Sequence, residues 1–445
     1  MKKTIPVISI ISGTLAQLVS GTAGAEFFKD SKLSLSTRNF YYNQDKRNAG
    51  ANTPGYDEWG QAFTLDFRSG FTEGVVGFGF DVLGQEGIRL DDGGRAGKAG
   101  EQRMPGSVFP LTSHGKAQSS FGHIGVTGKM RLSKSLLQLG MLTPKLPVVI
   151  AQDARLLAQM YQGGQITIND IPDLTLTGGK IEHSVERNST DSNSLSIEGS
   201  NNAANYHGSN QFYYAGADYK ASKSLLLQYY FGQLRDFYSQ HFVGLLHNWE
   251  LPYGSLRTDL RYFNSYANGK NASASGRAEG YKANGYWKTG DSHKGEVDNR
   301  LWSAMLTYDL AGHSMGLGFQ KVTGKSDFPH LNQGAGRVLY LITNMQMHKF
   351  HNSGEKSWVG RYAYDFAGMG ILGLKASVQY VRGFDINAAG SNHKEWERDT
   401  RLDYVFQTGP LKGLGLTWMY GVWRGNDATD YDENRLIANY TLSVF

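Results

Sequence analysis

The stretch FTLDFRSGFTEGVVGFGFDV, residues 63–82, decides the fold. In residues 63–68 apolar side chains alternate with Thr, Asp and Arg, and in residues 76–82 they alternate with Gly and Asp. A short connection at 69–74 with two glycines separates the two runs. A period of two places successive side chains on opposite faces, as in a β-strand. The stretch therefore predicts two antiparallel strands joined by a turn.

The same alternation continues along the chain, and its apolar rows repeatedly end in Tyr, Trp or Phe. A water-soluble β-sandwich would also alternate, but aromatic ends are typical of membrane strands, where they form girdles at the lipid interface. The clearest further examples are residues 33–38, 123–132, 256–262 and 358–365. The segment from Leu436 to Phe445 also alternates and ends in an aromatic residue, which resembles an outer-membrane assembly signal.

The connections between these runs allow the strands to be counted. Eight are short and rich in Gly, Pro, Asp, Ser and Lys: 69–74, 131–135, 168–173, 219–223, 248–254, 309–313, 366–373 and 407–413. Nine are longer and mostly polar: 43–61, 84–120, 143–162, 183–210, 233–239, 264–299, 321–357, 383–399 and 425–433. Eight turns plus nine loops make 17 connections and hence 18 strands. We therefore predict an all-β protein, an 18-stranded antiparallel transmembrane β-barrel wide enough for an aqueous channel.

Composition agrees with a membrane barrel. The 445 residues include 56 Gly and 25 Tyr but no Cys, which excludes disulfides, thiolate metal sites and cysteine nucleophiles. Beyond residue 25 no run of 18 apolar residues exists, so the sequence predicts no transmembrane helix. The formal net charge of +5 is too small to favour nucleic acid as a partner.

The first 25 residues have the features of a secretory signal peptide. Lys2 and Lys3 form a charged start, an apolar segment follows, and Ala23-Gly24-Ala25 fits the small-residue cleavage pattern. A membrane anchor is the weaker alternative, because the apolar segment is short and contains polar residues. We predict a signal peptide at 1–25 and a single barrel domain at 26–445.

The sequence contains no pattern of an enzyme or a cofactor site. It lacks the nucleophile elbow, the zinc-protease helix motif, the P-loop and the EF-hand loop. The glycine-rich run at 74–84 is explained by strand packing and curvature. We therefore predict neither enzymatic activity, nor a cofactor, nor a metal site.

The charge on the predicted inward face indicates the chemical class of the solute. By alternation this face carries nine cations and five carboxylates, an excess of positive charge. Some of these, such as Arg261 beside Asp259, can simply brace the wall as ion pairs. Arg38, Arg361, Lys375 and Arg401 lie on the first strand and on strands near the C-terminus, which closure of the barrel brings together. Such a basic strip would guide a carboxylate from site to site.

The third long loop is unusually apolar for a loop in water. It reads TPKLPVVIAQDARLL at residues 143–157. We predict that it folds into the lumen, packs on the wall and presents Asp153 and Arg155 to the solute.

Taken together, these features resemble the OprD (Occ) family of substrate-specific outer-membrane channels. The matching stretches occur in order over nearly the whole chain. They are Arg38-Asn39-Phe40-Tyr41-Tyr42-Asn43, Val75-Val76-Gly77-Phe78-Gly79-Phe80-Asp81, Lys145-Leu146-Pro147, Arg155-Leu156-Leu157, Gly354-Glu355-Lys356-Ser357-Trp358 with Arg361-Tyr362, and Asn434-Arg435-Leu436. The resemblance implies a monomer or loose homotrimer embedded in outer-membrane lipid and lipopolysaccharide, with inward-folded loops opposite a basic ladder.

The resemblance also implies the substrate class. Stretches at 240–245, 259–263 and 298–300 look more like the branch for cyclic or aromatic monocarboxylates than the branch for basic amino acids. It implies ladder residues at Arg38, Arg361 and Arg401, with Arg155 and Arg300 contributed by loops. The alternative is a channel for basic amino acids or small peptides, with Asp153, Asp365 and Asp403 binding the amine. A barrel enzyme or an adhesin is the alternative from another class.

Overall fold

A computed structural model describes residue 27 and residues 29–47, 55–91, 93–96, 103–198, 207–389, 393–426 and 429–445. The predicted signal peptide at 1–25 lies outside the described residues, so its assignment stays a prediction. Across the part of the chain that the structure describes, no helix is long and apolar enough to cross a membrane.

Eighteen long strands form the wall, which confirms the predicted number. In chain order they are β1 (Lys32–Lys46), β2 (Gly55–Arg68), β3 (Val76–Asp91), β4 (Ser120–Leu132), β5 (Ser135–Leu142), β6 (Met160–Ile168), β7 (Leu174–Val185), β8 (Phe212–Lys220), β9 (Leu225–Leu234), β10 (Tyr238–Glu250), β11 (Ser255–Ala267), β12 (Asp298–Leu310), β13 (His313–Gly324), β14 (Lys356–Asp365), β15 (Leu374–Ile386), β16 (His393–Val405), β17 (Gly415–Gly425) and β18 (Tyr431–Ser443).

Each strand pairs antiparallel with its neighbours in sequence, and β1 pairs with β18 to close the barrel. The closing register runs from Ser34 opposite Ser443 to Lys46 opposite Tyr431. Short turns join the strands at one rim. The turn between β12 and β13 consists of Ala311 and Gly312, with φ angles of 47° and 85°. Two positive φ angles match the right-handed twist of the flanking strands, as two-residue hairpins require.

Smaller elements lie in the connections. Short strands occur at Arg103–Met104, Lys145–Leu146, Val149–Ile150 and Ser192–Ser194. One α-helical turn occupies Ala274–Glu279, and 3₁₀ turns occupy Gly269–Ala272 and Phe366–Met369.

The outer face of the wall is apolar. Large side chains that point outward remain exposed, such as Ile124 at 73% and Leu317 at 63%. Exposed apolar side chains on every side of a barrel are unfavourable in water and favourable in the hydrocarbon of a bilayer. The outer face is therefore the lipid-facing surface.

The inner face is covered by long loops that fold into the lumen, as predicted for the third. We name the connections at 93–119, 143–159, 186–211 and 325–355 loops L2, L3, L4 and L7. Of L2 the structure describes residues 93–96 and 103–119, and of L4 it describes residues 186–198 and 207–211. Leu156 and Leu157 of L3 pack with Phe40 of β1 and Phe109 of L2 in one buried cluster. Val148 and Val149 of L3 join a larger cluster with wall residues of β6 to β11 and with Leu331 and Leu339 of L7.

Hydrogen bonds between the loops hold them as one unit. The Gln159 side chain donates to Ser184 Oγ at 2.8 Å and to the Asn332 carbonyl at 3.1 Å, linking L3, β7 and L7. Asn188 of L4 donates to the Gly106 carbonyl of L2 at 3.1 Å. The lumen is therefore narrowed by an interlocked assembly of loops from different parts of the chain.

Candidate functional site

Three arginines come together where the inward-folded loops meet the wall. Arg155 belongs to L3, Arg187 to L4 and Arg435 to β18, and all three are buried. The ring of Tyr42 on β1 lies against this arginine cluster: its centroid is 4.3 Å from Arg155 Cζ and 5.9 Å from Arg435 Cζ. A flat guanidinium over an aromatic face is stabilised by the ring quadrupole.

One carboxylate of the wall neutralises part of the arginine cluster. Glu433 lies 2.5 Å from Arg435 Nη2 and accepts hydrogen bonds from Tyr42 at 2.7 Å and Gln346 at 3.1 Å. Arg435 also donates to the Gln346 carbonyl at 3.0 Å. Arg435 and Glu433 are thus satisfied by each other and by L7.

Arg155 and Arg187 are not satisfied in this way. Within the described residues, Nε, Nη1 and Nη2 of Arg187 and Nε of Arg155 are buried without a hydrogen-bond partner. Burial, and then the neighbouring arginines, lower the pKa of the Arg187 guanidinium well below its ordinary value. Burial also lowers the pKa of Arg155, with Arg435 adding to the effect. Buried donors without acceptors are costly, so an acceptor that reached these two guanidiniums would bind strongly.

The two guanidiniums converge at one glycine of L7. A Cβ atom placed on Gly336 would lie 3.1 Å from Arg187 Nη2 and 3.3 Å from Arg155 Nη2. Gly336 has φ +82°, a conformation that other residues rarely adopt. Glycine at this position therefore lets L7 pass close to both guanidiniums without a steric clash.

A cavity of about 550 Å³ opens beside the arginine cluster. Its wall includes Tyr42, Arg155, Glu198, Arg337, Lys349 and Glu433. Burial lowers the pKa of Lys349 to about 8, whereas burial raises the pKa of Glu198. Arg337 Nε lies 3.9 Å from Glu198 Oε1, a loose ion pair. The cavity thus combines strong donors with the size that a small organic solute needs.

A second cavity of about 230 Å³ shares Glu198, Arg337 and His351 with the first. Phe328, Pro329 and His330 also line it. Burial lowers the pKa of His330 to about 3, so this imidazole is neutral at physiological pH. In the described part of the chain, no three His, Asp or Glu side chains are grouped as metal ligands would be.

The residues predicted to form a basic strip lie on the lumen face and mostly have partners. Arg38 Nη1 lies 2.7 Å from Asp153 and 2.6 Å from the Arg155 carbonyl, so β1 holds L3 directly. Arg361 donates to the Ile342 carbonyl of L7. At the short-turn rim, Arg401 Nε lies 2.6 Å from Asp403, and Lys375 Nζ lies 2.9 Å from Asp365.

Arg300 does not lie on the lumen face, so the expectation that it belongs to the basic ladder is wrong. It was expected to contribute to the ladder, but on β12 it shares the outward face with Trp302 and Leu306, which are exposed at 43% and 49%. The inward positions of β12 are the buried Asn299 and Leu301. Arg300 instead pairs with Asp298 at 3.0 Å on the outer face, near the loop rim. Because side chains alternate, a residue one position away from the lumen register cannot line the pore.

Sequence reasoning missed Arg187 and Arg435 as site residues. Arg435 could have been found, because it alternates with the outward Leu436 and therefore faces the lumen. Arg187 lies in L4, where no periodicity indicates direction, and only the folding of the loops brings it to Arg155.

Comparison with known proteins agrees with this architecture. Residues 25–444 match the family model described as outer membrane porin, OprD family. The chain is 33% identical to the porin-like protein GalP of Pseudomonas putida, with 94% of this chain and 93% of that protein covered. It is 30% identical to Porin D of Pseudomonas aeruginosa, over 96% and 94% of the two chains.

Solved structures match over the same range. OccK8 (OprE) of Pseudomonas aeruginosa is 49% identical, with a TM-score of 0.87 over 95% of this chain and 100% of that one. OpdK of the same organism, solved with vanillate, is 33% identical, with a TM-score of 0.81 over 94% and 100%. The matching family model describes outer-membrane porins, and porins are channels rather than enzymes. The chain therefore belongs to the OprD family of outer-membrane porins.

Proposed function

We propose that this porin is a substrate-selective diffusion channel for small solutes that carry a carboxylate, driven by the solute gradient. The observation that carries the proposal is the pair of buried guanidiniums, Arg155 and Arg187, which converge beside Gly336 and together carry four nitrogens without a hydrogen-bond partner among the described residues. A carboxylate has two oxygens, each able to accept from a guanidinium, and forms strong bidentate contacts with arginine. With a pKa of about 4 it is ionised at neutral pH.

The route to this pair follows the basic strip. Arg401 and Lys375 near the turn rim, Arg361 beside L7 and Arg38 beside L3 would guide the solute along the lumen wall. Their present partners are the carboxylates Asp403, Asp365 and Asp153 and the Ile342 carbonyl. A passing carboxylate can exchange with the three aspartates at little net cost, because solvent-exposed ion pairs are weak.

For the substrate, we favour cyclic or aromatic monocarboxylates. The second cavity supports this proposal, because Phe328, Pro329 and the neutral His330 offer flat, uncharged surfaces to a ring. Vanillate, the molecule present in the OpdK structure, has a ring with one carboxylate. The rival substrate is a basic amino acid, whose amine would bind Asp153, Asp365 or Asp403. The oligomeric state, monomer or loose homotrimer, stays a prediction.

Uptake into liposomes tests the proposal. Purified porin is compared for benzoate, pyroglutamate, arginine and a neutral sugar, and then again as Arg187→Gln and Arg155→Gln. Each variant should lower the ratio of carboxylate to sugar uptake about tenfold, since one hydrogen bond to a charged group is worth about 1.5–3 kcal/mol. Arg300→Gln, on the outer face, is the matched control and should leave the ratio unchanged.

The alternatives give different results. Preferential arginine uptake would mean that the lumen carboxylates select the solute and that the carboxylate proposal is wrong. Equal loss of carboxylate and sugar uptake in Arg187→Gln would indicate general damage to the pore rather than loss of a binding site.

A further inference from the structure

Loop L7 returns to the wall beside two buried carboxyl groups. Glu355 is the residue before β14, and Glu395 lies on β16; they are 0% and 5% exposed. The Asn352 side-chain amide donates to Glu355 Oε2 at 3.0 Å and to Glu395 Oε1 at 3.2 Å. One nitrogen thus contacts both carboxyl groups, which fixes them close together.

The pair is arranged to share a proton. The carboxyl groups of Glu355 and Glu395 lie within hydrogen-bonding reach of each other. Glu355 Oε1 is buried, and the described residues supply no N–H or O–H donor to it. Two ionised carboxylates at this separation would repel strongly in a buried site, whereas one shared proton turns the repulsion into a hydrogen bond.

The neighbouring groups connect this pair to the rest of L7. Glu395 Oε2 accepts from Trp423 Nε1 at 2.7 Å and lies 3.3 Å from His348 Nδ1. The next inward residues of β16 accept backbone N–H groups of L7: Glu397 from Met347 and His348, and Asp399 from Gln346. The titratable and charged groups facing this contact are His348, Lys349, Glu395, Glu397, Asp399, Tyr431, Glu433 and Arg435.

We propose that the Glu355–Glu395 pair is a proton-dependent latch that fastens the C-terminal end of L7 to the barrel wall. With its proton the latch holds L7 against β16 and keeps the cavity beside Arg155 narrow. Without the proton both groups are negative, the end of L7 separates from β16, and the loop samples other positions in the lumen.

The direction of the pH dependence follows from the burial of the pair. Burial, and then the charge of Glu395, raise the pKa of Glu355 well above its ordinary value. Because the pKa in the folded protein is raised, the shared proton stabilises the latch fully below the ordinary carboxyl pKa, and this stability is lost as the pH rises through the raised value. Lys349, with a pKa lowered to about 8 by burial, loses its charge in the alkaline range as well. Loss of the positive charge on Lys349 leaves the negative charges of Glu397 and Asp399 less compensated. It therefore also favours separation of L7 from β16 at alkaline pH.

Single-channel recording in planar bilayers tests the latch. Currents are measured in potassium chloride without organic solute at pH 5 and pH 9.5, so the result does not depend on the proposed substrate. The wild-type channel should show about tenfold more frequent gating transitions at the higher pH. In Glu355→Gln the amide donates to Glu395 with no proton to lose, and the alkaline increase should be largely suppressed. Glu355→Ala should gate frequently at both pH values.

A matched variant removes a carboxylate elsewhere. Glu279 lies in the connection at 268–297, is exposed and pairs with Lys270 at 2.8 Å. Glu279→Gln should behave as wild type. Gating that does not change with pH in the wild type, or an alkaline increase in Glu355→Gln as large as in the wild type, would overturn the proposal. Heat-modifiable migration of each purified variant establishes that its barrel is folded.

Discussion

At Gly336 the absence of a side chain shapes the proposed binding site. We expect Gly336→Ala to reduce carboxylate uptake severalfold more than sugar uptake, because the new methyl group would stand 3.1 Å and 3.3 Å from the two guanidiniums. The matched control is Gly290→Ala. Gly290 has the same φ of +82° but no atom within 4 Å of an added Cβ, so it reports backbone strain alone. Equal effects of both variants on the uptake ratio would contradict the prediction.

Arg38 has two proposed roles, guiding the solute and holding L3. Replacing its partner Asp153 by a neutral residue separates them. Arg38→Ala should lower carboxylate uptake more than sugar uptake, because a guiding cation is lost. Asp153→Asn keeps L3 in place but weakens the 2.7 Å ion pair, which leaves Arg38 freer to meet a solute. We therefore expect the Asp153 variant to retain or increase carboxylate uptake in liposomes. The same decrease in both variants would mean that Arg38 only braces L3.

Single residues were predictable where strand periodicity applies. Alternation correctly placed Arg38, Arg361 and Arg401 on the lumen face, since each strand gives every second residue the same direction. The expectation for Arg300 came from the family resemblance and is wrong, whereas alternation relative to Trp302 gives its outward direction correctly. Alternation could not predict the direction of the Arg187 side chain, because a loop has no regular period. That direction depends on contacts with three other loops.

At the scale of elements, wall carboxylates fasten the inward-folded loops by their backbone amides. Glu58 of β2 accepts the N–H groups of Gly106 and Phe109 on Oε1, and those of Ser107 and Val108 on Oε2, at 2.8–3.1 Å. Glu397 and Asp399 hold L7 in the same manner. A loop that enters a lumen must satisfy its backbone donors there, and an acidic side chain of the wall can satisfy several at once.

Glu58→Gln tests this mode of attachment. The amide NH₂ of glutamine would face two of the four donors, so at least two N–H groups lose their acceptor, at a cost of about 1–3 kcal/mol each. We expect L2 to detach and its cleavage by an added protease to accelerate at least about tenfold. Glu86→Gln, an exposed position on β3, serves as the control and should not change cleavage.

At the scale of the whole molecule, the proposed selectivity combines long-range attraction by exposed cations with direct contact at the buried arginines. Guidance by the exposed cations acts through solvent and is screened over about 10 Å at 0.1 M salt and about 3 Å at 1 M. Contacts with the buried Arg155 and Arg187 are screened less. We expect the carboxylate-to-sugar uptake ratio to fall severalfold between these salt concentrations without disappearing. In Arg187→Gln the remaining ratio at 1 M salt should approach one. A ratio in the wild type that does not change with salt would contradict a guiding role for the exposed cations.

The barrel itself was predictable because the patterns that specify its strands and turns are local in the sequence. Alternation identifies strands, turn residues separate them, and the parity of turns and loops gives their number. The interlocking of L2, L3, L4 and L7 was predictable only for L3, whose apolar sequence is unfavourable in water. L7 also carries an apolar run, at residues 338–342, but the inward folding of L2, L4 and L7 depends on long-range partners such as Glu58 and Asn332.

The pairing of β1 with β18 has a consequence for biogenesis. Residues 405 positions apart, Ser36 and Thr441, hydrogen-bond across this seam. Translation produces β18 after the other seventeen strands, and until then β1 presents an open edge with unpaired amides, which lipid cannot satisfy. The chain must therefore be kept from inserting into the bilayer until β18 is available to pair with β1. Long-range closure of this kind makes folding slow and dependent on assistance.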